Sequence, residues 1–212
     1  MVEDALEDLE SEGEEISCRK GCNHCCHLLV EVSWEEATEL ANWVLNLPHS
    51  RRERFLGRIR KNAAEARELF LSDKKAHRFL KPADGEEEIP DHIFDRYFYG
   101  KRRPCPFLEL GACAAYEVRP TPCRLHMVTT DPELCSAESE EQEYETHQRL
   151  EELQEQATPV IQAAEKTHLW GQLGIMVEAA YQALIENNLT TKADNNNSEV
   201  ACDNGDQKTR VA

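Results

Sequence analysis

No stretch of these 212 residues forms an apolar run long enough to cross a bilayer, and the start, MVEDALEDLESEGEEIS, has neither a basic leader nor an apolar segment. The sequence therefore reads as a cytoplasmic chain with no membrane partner. Positive charge is scarce: 24 Lys and Arg stand against 41 Asp and Glu, a formal net charge of -17, and aromatics make up only 7%. Nucleic acid is a poor match to that balance and is not an expected partner. A P-loop, a Gly-rich dinucleotide fingerprint and a Ser nucleophile elbow are all missing, which removes the commonest nucleotide and hydrolase chemistries. No catalytic residue is assigned, and whether the chain is an enzyme stays open.

What the chain has in quantity is cysteine, nine in all. Thiols in a reducing compartment stay reduced unless a metal holds them or chemistry uses them, so these are not a disulfide framework. Cys202 lies in a polar tail and is set aside. The other eight fall into two groups: Cys18, Cys22, Cys25 and Cys26 within CRKGCNHCC, and Cys105, Cys113, Cys123 and Cys135 within the proline-rich stretch from Arg102 to Cys135. Two acidic stretches account for most of the negative charge. Residues 1–15 hold eight carboxylates and no base, and 136–157 holds eight glutamates against Arg149; between them, 51–81 carries eleven Lys or Arg against four Asp or Glu. The basic run reads either as an anion-binding face or, as charge runs usually do, as a solvated face that answers acidic residues within the fold.

The length suits one domain with flexible ends. SWEEATELANWVLNL opens with Ser33 as N-cap and Glu36 three residues on, a capping box, and sets Ala37, Leu40, Ala41 and Val44 on one face of a helix. After Pro48, SRRERFLGRIRKNAAEARELFL predicts a second helix with Phe55, Ile59, Ala63, Ala66 and Phe70 inward. KPADGEEEIPD is a turn-rich link and HIFDRYFYG a short aromatic helix. The second cysteine stretch reads as ordered loops with one short turn near CAAYEV. Residues 136–157 predict a polar helix, a further helix starts near Pro159, and GIMVEAAYQALIENN turns Met176, Ala179, Ala180, Ala183 and Leu184 inward. The expectation is a mainly α fold. It has an acidic disordered tail at 1–16, a single small helical domain at 17–187 with motif blocks at 17–135 and a helical part at 136–187, and a polar disordered tail at 188–212.

The spacing points to metal. Cys22 and Cys25 form a C-x-x-C pair that lets one turn offer two thiolates to one ion, which suits zinc and iron alike. Adjacent Cys25 and Cys26 diverge, so Cys26 serves a second metal, a bridging position or the core. Seven, nine and eleven residues separate the cysteines of the second group, unlike the paired knuckles of a zinc ribbon, and Pro104, Pro106 and Pro122 flank Cys105 and Cys123 as prolines do in ferredoxin-type loops. These features lean toward an iron–sulfur cluster. His24, His27 and His126 are reserve ligands or ordinary surface histidines. Cys18, Cys22 and Cys25 also reproduce the C-x-x-x-C-x-x-C spacing of radical S-adenosylmethionine enzymes, but a mainly helical chain does not supply their strand-and-helix barrel.

The blocks CRKGCNHCCHLLVEVSWEEATEL and CPFLELGACAAYEVRPTPCR, in that order, resemble the CxxCxxCC family, the YkgJ-like cysteine cluster proteins described as zinc- or iron-chelating domains, to which flagellin lysine N-methylases are related. The resemblance implies an extended segment after the first cysteines. It also implies metal ligation by Cys18, Cys22, Cys25, Cys26, Cys105, Cys113 and Cys123; Cys135 is added as a candidate ligand from its place in the second cysteine group, not from a matched position. Arg119 and Arg124, in the matching R-P and C-R positions, are candidates to touch a cofactor or to be structural. The implied cofactor is an iron–sulfur cluster, 4Fe–4S favoured, or zinc; the methylase relatives leave S-adenosylmethionine open.

Overall fold

A computed structural model describes residues 2–13, 16–19, 21–71, 80–82, 91–98, 103–136, 145–164 and 169–202. Helix α1 (Val2–Glu12) precedes the first cysteines, which lead through a 3-10 turn at His24–His27 into strand β1 (Glu31–Ser33). The capping box then forms as the sequence predicts. Glu36 N–H donates to Ser33 Oγ at 3.2 Å, Ser33 N–H donates to Glu36 Oε2 at 3.1 Å, and α2 (Trp34–Leu45) begins there. Helix α3 (His49–Leu71) follows, then β2 (Leu80–Pro82) and α4 (Asp91–Phe98).

The main core forms where α2, α3 and α7 (Leu173–Cys202) meet. All four inward positions named for α2 and all five for α3 are buried, each apolar side chain stabilising the fold by about 1.5–3 kcal/mol at the larger residues. Trp43, Phe55 and Phe107 interlock, with Trp43 edge-on to both phenylalanines and the two phenyl rings stacked 6.1 Å apart. On α7, Met176 and Ala180 are buried as expected, Ala179, Ala183 and Leu184 only partly so, and Ile175, Val177 and Tyr181 join the core.

A small antiparallel sheet that periodicity did not disclose sits beside these helices. Strand β5 (Leu169–Gln172) lies at its centre, with Val32 of β1 opposite Gly171 and Lys81 of β2 opposite Trp170. Segments of three or four residues are too short for alternation to stand out. The extended segment implied after the first cysteines is β1.

Three further features concern the outer elements. Helix α1 lies within the acidic start, with its Leu9 buried against Leu125 and Leu150 while Arg149 pairs with Glu12 at 2.6 Å. One leucine and one arginine suffice to dock a helix that composition alone marks as solvated. Pro159 does not begin a new helix; it lies inside α6 (Gln148–Ala164), because a proline removes one N–H bond without obliging the neighbouring turns to end. Helix α7 runs to Cys202, so helical backbone extends into the polar tail, where polarity argues against burial but not against a helix. The link at 83–90 and the acidic run at 137–144 lie outside the described residues.

Five of the six arginines of α3 act within the fold. Arg51 and Arg54 pair with Glu109, Arg67 with Glu178, and Arg52 and Arg58 donate to the carbonyls of Leu45 and Leu108. Among the described residues no helix is long and apolar enough to cross a membrane.

Candidate metal centre

Both cysteine groups are carried by short, irregular segments held against the helical core. Cys18 lies in an irregular segment fixed by Ser17 N–H to Val128 O at 2.9 Å, and Val128 N–H points back at Cys18 Sγ at 3.4 Å. Cys22 closes a turn onto Arg19 O, and Cys25 and Cys26 sit side by side in the 3-10 turn. In the second group, Cys105 is in an irregular segment and Cys113 in the hairpin β3 (Leu108–Glu109) and β4 (Ala112–Cys113). That hairpin turns through Leu110 and Gly111 with φ of 52° and 77°, the left-handed pair that two-residue hairpins require. Cys123 is in α5 (Thr121–Leu125), and Cys135 is buried at the end of a 3-10 turn at Pro132–Cys135.

Three hydrogen bonds bring the groups together. Cys105 N–H donates to Cys26 O at 2.7 Å, Asn23 Nδ2 donates to Gly111 O at 3.0 Å, and Thr121 N–H at the head of α5 donates to Glu36 Oε1 at 2.7 Å. The Cys135 turn packs on the turn that carries Cys25 and Cys26. As a result Cys18, Cys22, Cys25, Cys26, Cys105, Cys113 and Cys123 all line one cavity of about 600 Å³. Among the described residues, no three Cys, His, Asp or Glu side chains already converge as a closed cage around a single ion. The thiols stand around a space instead.

Their protonation follows from this setting. Burial, then neighbouring thiols, pushes Cys123 up to about 12 and Cys135 up to about 12, and burial raises Cys105 well above the ordinary 9.0. Cys18 and Cys113 are raised by burial too, while Cys25 is raised first by its hydrogen bond with the Cys26 thiol and then by burial. The neighbours that raise each thiol fall into two sets. Cys105, Cys113 and Cys123 form one and Cys18, Cys22 and Cys135 the other, and Cys25 acts on both. Arg19 works against the shift at Cys18, and Arg119 does so at Cys113, Cys123 and Cys25.

The two candidate arginines are placed differently. Arg119 lines the cavity with its guanidinium 3.7 Å from the centroid of the Tyr116 ring, and its buried Nε–H has no hydrogen-bond partner among the described residues. Arg124 does not line the cavity; it donates from Nε to Arg119 O at 2.8 Å and from Nη2 to Glu117 O at 2.6 Å, bracing the loop that presents Arg119. His126 lines the cavity, with burial lowering its pKa against the opposing pull of Glu151, whereas His24 and His27 do not line it.

One part of the cavity wall was not legible from motifs. Asn62, Tyr97 and Gln172, all buried, join in a polar network: Asn62 Nδ2 donates to Tyr97 Oη at 2.9 Å, Gln172 Nε2 donates to Asn62 Oδ1 at 2.9 Å, and Ile175 N–H donates to Gln172 Oε1 at 3.0 Å. The one available signal was Asn62, a polar residue three positions from Ile59 on the apolar stripe of α3. Burial, eased by the Asn62 hydrogen bond, pushes the Tyr97 hydroxyl up to about 12.

The donor set suits a thiophilic metal. Eight thiols, six of them drawn from loops, bury polar sulfur that has no disulfide partner among the described residues and that metal ligation would satisfy. A small helical domain with a thiol-lined cavity belongs to the class of cysteine-cluster chelating proteins. The CxxCxxCC family model, "Putative zinc- or iron-chelating domain", matches residues 17–151, and the chain belongs to that family. Nothing matches the chain among curated proteins or among solved structures.

Proposed function

We propose that the protein is an iron–sulfur protein whose two cysteine groups jointly hold the cluster chemistry. The observation that carries this reading is the cavity itself: seven thiols around about 600 Å³, a volume in the range of ligand pockets. A structural zinc site is closed, four thiolates in contact with one ion and nothing else between them. An iron–sulfur core interposes iron and sulfide, so its cysteines stand farther apart than those around a single ion. Arg119, with its free Nε–H and its position among Cys25, Cys113 and Cys123, would offset the thiolate charge or donate to sulfur. When bound, the cluster would supply electron transfer or Lewis acidity; the chain's residues supply ligation, burial and that countercharge.

Zinc is the alternative for the same thiols, with the role of tying the cysteine loops to the helices. The test is iron, zinc and acid-labile sulfide per chain, with a visible spectrum, on protein purified without oxygen. Iron with matching sulfide and a broad thiolate-to-iron band supports the reading, and zinc without sulfide replaces it. A spectrum that shifts on adding S-adenosylmethionine would further identify an iron open to cofactor.

A further inference from the structure

The network of Asn62, Tyr97 and Gln172 lines the same cavity as the thiols but contains none of them, and its hydrogen bonds run in one direction. The Ile175 N–H can only donate, which fixes Gln172 Oε1 as the acceptor. Gln172 Nε2 therefore donates, to Asn62 Oδ1 at 2.9 Å and to Tyr97 Oη at 3.4 Å. With its oxygen so occupied, Asn62 presents Nδ2 to Tyr97 Oη at 2.9 Å. Both partners of the Tyr97 hydroxyl are donors, so its oxygen accepts twice and its own proton has no acceptor among the described residues. Tyr97 is 2% exposed. A buried O–H left without an acceptor costs free energy, and the cavity is the space into which that proton can point.

We propose that the cavity binds a small uncharged organic molecule through a carbonyl oxygen, which accepts the Tyr97 O–H while the apolar body of the molecule rests on Val30, Leu40, Phe107 and Leu173. Those four line the cavity and belong to one apolar cluster, the combination of apolar wall and few directed polar groups that ligand pockets use. Gly174 leaves the room that Asn62 Oδ1 fills, so the donor is held in place before a ligand arrives. The acceptor is uncharged because that part of the wall offers no countercharge. Of the arginines that line the cavity, Arg19 donates to the carbonyls of Ile16 and Cys18, and Arg119 stacks on Tyr116. Arg103 stands 5.4 Å from the centroid of the Tyr97 ring without lining the cavity, where its charge makes the phenol a stronger donor. Burial holds the Tyr97 proton up to about 12, so the hydroxyl stays a neutral donor at physiological pH. The proposal shares its cavity with the chelating reading but uses no thiol.

The test is calorimetric titration of the full chain, purified without oxygen, with acetophenone as the probe, set against ethylbenzene, which lacks the oxygen, and benzoate, which adds a charge. Acetophenone is expected to bind saturably and more tightly than either. Tyr97→Phe, which keeps the ring, should weaken acetophenone about fivefold, the size of one neutral hydrogen bond, and leave ethylbenzene unchanged. Absence of saturable binding, or equal affinity of the wild type and Tyr97→Phe for acetophenone, overturns the site. Tighter binding of benzoate overturns the uncharged class. Where Tyr97→Phe fails to fold by circular dichroism, the wild type decides alone, and equal affinities for acetophenone and ethylbenzene overturn the proposal. Metal content measured on the same sample keeps the two readings apart: a chain that holds metal but not acetophenone overturns this proposal alone, and one that binds acetophenone without metal supports it while removing the chelating reading.

Discussion

The backbone N–H of Cys105 donates a 2.7 Å hydrogen bond to the carbonyl of Cys26, joining the two cysteine groups across nearly eighty residues of chain. Because it is a main-chain bond, it fixes the approach of the loops whatever the side chains do. The centre is thus organised from outside by short backbone bonds and from inside by thiols, and changes in the supporting residues should reach the metal.

Glu36 is the first such residue. One carboxylate oxygen closes the α2 capping box and the other accepts from Thr121 N–H ahead of Cys123. Glu36→Ala is expected to cost about 1–2 kcal/mol of stability, from a lost cap and an unsatisfied buried donor. It should also speed metal loss to a chelator. Glu36→Gln, which keeps an acceptor, should fall between the wild type and the alanine variant in both urea midpoint and chelator half-time.

Gly174 tests the buried polar network. A Cβ there would overlap Asn62 Oδ1 and lie 3.2 Å from the Ala63 amide nitrogen. Gly174→Ala should therefore destabilise the protein by about 1–3 kcal/mol, as overpacking does, seen as a lowered denaturant midpoint. A neutral or stabilising result would mean that Asn62 is free to move.

These two residues show what the sequence made legible and what it did not. The capping box announced Glu36 as a helix start because Ser33 and Glu36 are three residues apart, a local pattern. Its second contact, to Thr121, joins positions far apart in the chain and leaves no local trace. The helices α2 and α3 were readable for the same local reason, since their apolar stripes span several turns. The three-stranded sheet was not, because its strands are short and pair across most of the chain. Eight thiols stood out as candidate ligands by type and spacing, but that seven of them line one cavity, with Cys135 outside its lining, depends on which loop packs on which. The polar wall of Asn62, Tyr97 and Gln172 was hidden because each of its members comes from a different element.

The docking of α1 gives a third prediction. Leu9 is 1% exposed against Leu125 and Leu150, so Leu9→Ala should destabilise by about 2–3 kcal/mol, the lower part of the range for buried leucine truncation. Protease cleavage within the first twelve residues should quicken accordingly. If α1 were solvated and undocked, neither quantity would change.

The raised thiol pKa values set two opposite pH dependences. In the metal-free protein, half-buried Cys123 and buried Cys135 hold their protons up to about 12, while unfolded thiols lose theirs near the ordinary 9.0. The folded state then binds more protons above pH 9, so its stability should be flat below that and fall as pH rises from about 9 toward 12. Metal binding displaces the same protons, so affinity should rise with pH through the neutral range and weaken in acid. Thermal unfolding of the metal-free form in alkaline buffers and metal competition at neutral to mildly acid pH would separate the two.

Arg119 provides an electrostatic prediction. Removing its charge with Arg119→Gln should weaken metal retention several-fold, since a cation beside three thiols favours their ionised form. Arg119→Lys should recover part of the loss, and Arg124→Gln should act through stability of the 117–124 loop, lowering the unfolding midpoint more than the affinity.

X-ray absorption at the metal edge of the protein as purified without oxygen is the decisive measurement, because it reads the ligand atoms themselves. The expected signal is sulfur alone in the coordination sphere, diminished by Cys123→Ser and by Cys135→Ser. A shell dominated by nitrogen or oxygen, or one that neither substitution alters, would contradict it.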